Sequence, residues 1–279
     1  MSGRPGWVTR RLVYGLPGWM TAMAYLFLLA PIVILVAFSF NEARSTVVFT
    51  GFTLDWYREV FADRNIARAL RVSLIVAAAS AGLATLIGAL AAVAITRRRF
   101  PGRTLLATGL AAPLVLPEIV LGVGLLVFMS FSGIRLGYGS MIVGHVLVTI
   151  PFATLIIRAA AASLDPRIED AAADLGADEW QIFTRVTLPQ LAPAIFAAFL
   201  LSATLSFDNL VMSTFTSGVG TTTLPLRIYS MLKLGITPEI NALGALMVVA
   251  NIGIVLIVMG RYLPLMLNKP RPVEPERKN

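Results

Sequence analysis

A chain of 279 residues that is 57% hydrophobic and only 14% charged, with a mean hydropathy of +0.80, is too apolar for a water-soluble fold, where about a quarter of residues carry charge. The absence of cysteine excludes disulfides and thiolate metal sites, and one histidine, His145, leaves little for a histidine metal centre. The net charge of +8 sits in short clusters beside apolar runs without interleaved aromatics, which argues against a nucleic-acid surface and for a topology signal and attraction to anionic lipid.

A helix needs roughly 20 apolar residues to cross the hydrocarbon core, and six segments qualify. The expected class is therefore an all-α integral membrane protein, one membrane domain over 1–279, with spans at about 19–40, 70–95, 105–131, 141–161, 191–212 and 242–263. Continuously apolar runs exclude strands, which would alternate. The first run, from Met20 to Phe38, is longer than the 7–15 apolar residues of a signal peptide and reads as a span. The loop after it, Asn41–Ala69, carries four arginines and four acids. RRRFPGR, with four arginines, follows the second span. In the third, Pro113 and Pro117 precede Glu118 and can open the helix ladder, which a membrane tolerates where backbone lines a cavity.

Between the fourth and fifth spans the chain turns acidic: six of its 15 acids lie from Asp165 to Glu179. Asp165-Pro166 is a helix start, an N-cap acid followed by proline at the first helical position. Ile168, Ala171, Ala172 and Leu175 form one apolar stripe, and Gly176 suits the left-handed residue that ends such a helix. Asp178 with Gln181 makes a capping box for a second helix bearing Trp180, Phe183 and Val186 on one face, which Pro189 is expected to close. Residues 163–190 thus read as a helix–turn–helix in water.

Beyond the fifth span, TSGVGTTT and LPLRIYSMLKLG form an outer segment whose second part suits a short interfacial helix, as a partner-facing surface or a lid. Fifteen of the 23 Lys and Arg fall on the side of the two tails, RRRFPGR and the acidic segment, so both termini are expected in the cytoplasm. By helix rise, Glu118 and Asp208 then sit roughly 20 and 25 Å from the cytoplasmic ends of their spans. A carboxylate at that depth usually faces a cavity or a partner. Each either lines a path for a cationic substrate or meets a basic partner residue or interfacial water. Glu239, after Pro238, reads as a cap, and His145 as an interfacial polar residue without a role.

The acidic segment resembles the cytoplasmic signature of permease subunits of ATP-binding-cassette importers: a Glu-Ala-Ala triplet, glycine four residues on, then Ile-x-Leu-Pro. The matching positions are Asp170, Ala171, Ala172, Gly176, Val186, Leu188 and Pro189, with Asp for Glu and Val for Ile; Glu169 is the alternative acid. FSFNEA, FTLDWY, PLVLPEIVLG and the stretch from Leu205 to Leu243 are similar to spermidine/putrescine permeases, particularly the second of their two permease subunits.

The resemblance implies a type I importer permease in the bacterial inner membrane, with a coupling helix docked on a cytoplasmic ATPase. It further implies two ATPase copies, a second permease and an extracytoplasmic binding protein, with a polyamine as substrate. It implies no catalytic residue, metal or cofactor in this chain: ATP and Mg belong to the ATPase, a separate chain because no G-x-x-x-x-G-K-S/T occurs here. An ion-coupled secondary transporter would use Glu118 and Asp208 for protons but leaves the acidic hairpin unexplained. A membrane enzyme would need clustered groups at one depth.

Overall fold

The computed structural model describes residues 7–43, 48–235 and 237–267; Arg4, Arg44 and the basic tail after Leu267, which carry part of the topology argument, lie outside them. The described chain is nearly all helix, in the order α1 (Trp7–Phe38), α2 (Asp55–Ala62), α3 (Arg64–Arg97), α4 (Arg103–Ala111), a 3-10 turn (Ala112–Leu114), α5 (Glu118–Phe131), α6 (Tyr138–Ser163), α7 (Pro166–Asp174), α8 (Glu179–Ile182), a π-turn (Phe183–Thr187), α9 (Leu188–Phe207), α10 (Leu210–Thr216), α11 (Leu224–Leu234) and α12 (Pro238–Leu267). Two compact units emerge, one of residues 64–230 and one of 1–63 with 231–279.

The larger unit is organised around α3, α6 and α9. Its core is built from small side chains: Ala89, Ala92, Ala153, Ala161 and Ala198 surround Ile157 and Leu191. Small residues let membrane helices approach closely and gain dispersion contacts that lipid cannot match. Between α3 and α6 the approach is close at Gly88, where a Cβ would stand 3.0 Å from the backbone nitrogen of Thr154. Outward residues of α3, such as Leu83 and Leu86, stay exposed, as a lipid-facing stripe requires.

In the smaller unit α12 packs on α1 and α2, with Gly244 against Leu35. The loop after α1 is pinned by buried Asn41, whose amide donates to the Val48 carbonyl at 2.8 Å and accepts from the Thr50 amide at 2.9 Å. Trp56 donates its indole N–H to the Asn41 carbonyl at 2.7 Å.

Among the described residues, four helices are long and apolar enough to cross a membrane: Gly18–Phe38, Arg64–Arg97, Tyr138–Ser163 and Glu179–Phe207. The expected third span is not one rod. Arg103–Leu114 and Glu118–Phe131 meet at 107°, because Pro113 and Pro117 each remove a backbone donor and Pro117 adopts an extended conformation that ends one helix and begins the next. The expected fifth span is also interrupted: α9 ends at Phe207, and Asn209 caps a new helix by accepting from the Met212 amide at 2.8 Å. In the last span, Pro238–Gly253 is a shorter apolar helix by the same measure.

Candidate functional site

The acidic segment folds as its caps direct. Asp165 Oδ1 accepts from the Arg167 amide at 3.0 Å, with Pro166 opening α7. At the far end Gly176 takes φ +87. The Ala177 amide reaches back to the Ala172 carbonyl at 3.1 Å and the Gly176 amide to Ala173 at 2.8 Å, the pair of bonds by which a left-handed residue closes a helix. Asp178 and Gln181 then exchange bonds of 2.8 and 3.3 Å as a capping box for α8.

Pro189 does not close the second helix. It stands in the first turn of α9, and α8, the π-turn and α9 run on as one apolar helix from Glu179 to Phe207. Proline removes the N–H that a regular ladder would use, and the turn before it widens to π geometry instead of breaking. The Gln190 side-chain amide supplies a donor there, to the Val186 carbonyl at 3.0 Å.

The hairpin's apolar residues are largely uncovered: Leu175 is 90% exposed, Trp180 71% and Ile168 47%. Ala171 and Asp170 are exposed too, Ala172 and Val186 half-buried, and Leu188 and Pro189 open. The two candidate acids have different surroundings. Asp170 makes no hydrogen bond or ion pair among the described residues, whereas Glu169 is taken up inside the chain. Its Oε1 accepts from Thr187 Oγ1 at 3.0 Å and lies 3.2 Å from Arg97 Nε. One step further out, Arg98 grips Glu179 with both nitrogens, at 2.8 and 2.7 Å. That carboxylate holds the Arg98 guanidinium above its ordinary value. A groove of about 610 Å³ lies between the end of α3 and the hairpin, walled by Leu90, Val93, Trp180 and Phe183 and rimmed by these charges.

At the opposite end of the same unit Glu118 and Asp208 are linked through Asn209. Glu118 opens α5 at its first helical position, where the amide end of the helix favours an anion, and its Oε1 accepts from Asn209 Nδ2. Asp208 is the neighbouring residue, at the C-cap of α9; its carboxylate is exposed and has no partner among the described residues.

His145 is not interfacial. It is 1% exposed, its Nδ1 2.7 Å from Ser206 Oγ and its Nε2 3.2 Å from Ser213 Oγ. Ser206 pairs onward with Ser80 at 2.8 Å, and Ser213 donates to the Asn209 carbonyl at 2.7 Å. A buried polar chain therefore ties α3, α6, α9 and α10 together and ends at the asparagine that holds Glu118. Its sequence signal was hydroxyls on neighbouring helices, visible only once those helices are paired.

With this geometry in view, comparisons with known proteins converge. Residues 84–265 match the family described as binding-protein-dependent transport system inner membrane component. The spermidine/putrescine transport system permease protein PotC of Escherichia coli is 39% identical over 88% of this chain and 92% of its own length. The putrescine transport system permease protein PotI of the same organism is 38% identical over 84% of this chain and 85% of its own. A crystal structure of a bacterial transporter involved in the import of alginate has the same fold, with a TM-score of 0.73 and 18% identity over 94% of this chain and 98% of that one.

Proposed function

The chain belongs to the family of binding-protein-dependent transport system inner membrane components, and on that footing we propose that it is one permease subunit of an ATP-driven importer for polyamines, putrescine or spermidine. It forms half of the membrane path, in six spans with both termini in the cytoplasm of a bacterial cell. A second permease completes the path, a binding protein delivers the amine from outside, and two copies of a separate ATPase supply the energy.

The observation that carries this reading is the acidic hairpin, residues 163–190, with a side-chain cap at the start of each of its helices and an uncovered apolar face in a chain that is otherwise a membrane bundle. An apolar patch rimmed by charge on the watery side is what a docking partner would cover. Asp170 is the exposed acid for a basic residue of the ATPase, and Ala171 and Ala172 let a partner backbone come close. Gly176 sets the turn, and Val186, Leu188 and Pro189 form the exit into α9. ATP closes the ATPase pair, the docked hairpins move with it, and the spans rock between inward- and outward-open states.

Within the membrane, Asp208 is the carboxylate free to meet a protonated amine, and Glu118, held by Asn209 and the start of α5, adds to the same negative field. The likeness to two polyamine permeases over more than four-fifths of the chain supports the same substrate class. The test is purification from native membranes, followed by ATP turnover with putrescine, spermidine and neutral solutes. The proposal expects a co-purifying ATPase stimulated by the amines; stimulation by a neutral or anionic solute alone would refute the substrate class.

A further inference from the structure

Resting on the coupling role of the hairpin, we propose that Glu169 is an internal strut: with Arg97 and Thr187 it fastens both feet of the hairpin to the end of α3, so that the hairpin, α3 and α9 move as one body. Arg97 is the last residue of α3. Its Nε lies 3.2 Å from Glu169 Oε1, while its Nη2 donates to the Leu164 carbonyl at 3.2 Å, at the foot where the chain enters the hairpin. Thr187, at the foot where the chain leaves it, donates its hydroxyl to the same Glu169 oxygen at 3.0 Å. One guanidinium thus holds the entry and α7, and one carboxylate oxygen holds α3 and the exit.

The position makes the strut mechanically relevant. The junction between α6 and α7 is the extended residue Leu164 followed by the cap Asp165. An untied junction of that kind is a hinge, and a push on α7 would swing the hairpin instead of moving the spans. The tie is also placed to resist water: the Arg97 and Glu169 side chains are 16% and 21% exposed, and Thr187 is 3% exposed. Arg98–Glu179, at 58% and 77%, is a surface pair of the kind that adds little on its own. The adjacent acids Glu169 and Asp170 therefore divide the work, the first fixing the lever and the second facing the motor.

The test uses the complete complex, with its ATPase and binding protein, reconstituted in liposomes, and measures putrescine and spermidine uptake per ATP hydrolysed. Coupling between sites typically spans 5–150-fold, so Glu169→Gln and Thr187→Val are each expected to lower that ratio by about tenfold. The ATPase still co-purifies and the permease stays folded and monodisperse in detergent, with an unfolding temperature lowered in Glu169→Gln by the unpaired Arg97. Arg97→Glu lowers the ratio likewise, and combining it with Glu169→Arg recovers part of it, since the ion pair returns while the donor to the Leu164 carbonyl does not, whereas Asp170→Arg strips the ATPase from the complex. If Glu169→Gln and Thr187→Val keep the wild-type ratio while Asp170→Arg strips the ATPase, the hairpin couples but the strut is wrong. If Glu169→Gln itself strips the ATPase, Glu169 is a docking contact and the strut is also wrong. If neither Asp170→Arg nor Gly176→Pro alters ATPase binding or uptake, the coupling role fails and takes the strut with it.

Discussion

Glu118 and Asp208, linked through the hydrogen bond of Glu118 to Asn209, have different surroundings. Glu118 has an amide donor in Asn209 and the start of a helix behind it, while Asp208 has no partner among the described residues. Asp208→Asn is therefore expected to lower amine uptake at least tenfold, the order of loss when a charged hydrogen bond of about 1.5–3 kcal/mol is removed, with the complex intact on size exclusion. Uptake at the wild-type level would make the acid structural. His145→Ala leaves the hydroxyls of Ser206 and Ser213 short of a partner inside the bundle. It should cost about 1–3 kcal/mol, read as a lower unfolding temperature in detergent, and an unchanged temperature would dissolve the polar chain as a stabilising feature. Glu118 and Asp208 could be singled out in the sequence because a charge in an apolar run stands out. His145 was misread because one histidine is ambiguous until Ser80, Ser206 and Ser213 are brought to its depth by three other helices.

Local sequence determined how the short helices begin and end. Asp165-Pro166, Gly176 and Asp178 with Gln181 each form the cap their chemistry favours, since capping depends only on neighbours a few residues away. Gly176→Val places a β-branched residue at φ +87, a conformation that costs such side chains about 1–2 kcal/mol. ATP hydrolysis should continue in that variant while amine uptake falls; equal uptake would show that the turn's shape is dispensable. Longer-range geometry was less legible. Pro113 and Pro117 announced an opening in the third span, but a 107° bend depends on what α5 packs against, notably α10. Pro189 looked like a stop, yet a π-turn absorbed it, because the apolar run on either side has more to gain by continuing as one helix.

Across the whole chain, composition alone indicated a helical membrane protein, and the permease fold seen in a solved ABC transporter agrees. Orientation rests on an asymmetry of 15 against eight positive residues, and it predicts that a tag at either terminus is protected from protease added outside intact spheroplasts. Digestion of either tag would reverse the topology. The proposed partners come from the resemblance carried by the hairpin and the flanking motifs, since a docking face looks like any exposed helix until its charge and uncovered apolar residues are seen together.

The proposed contact of the hairpin with an ATPase can be tested directly because the chain has no cysteine of its own. Ala171→Cys introduces a thiol on the exposed face of α7, and a short bifunctional reagent is added to membranes containing the assembled complex. We expect a cross-linked band containing this chain and the ATPase, lost when Gly176→Pro is added. A thiol that forms no such adduct in the working complex, or that reacts with an impermeant maleimide from outside the cell, would contradict the account.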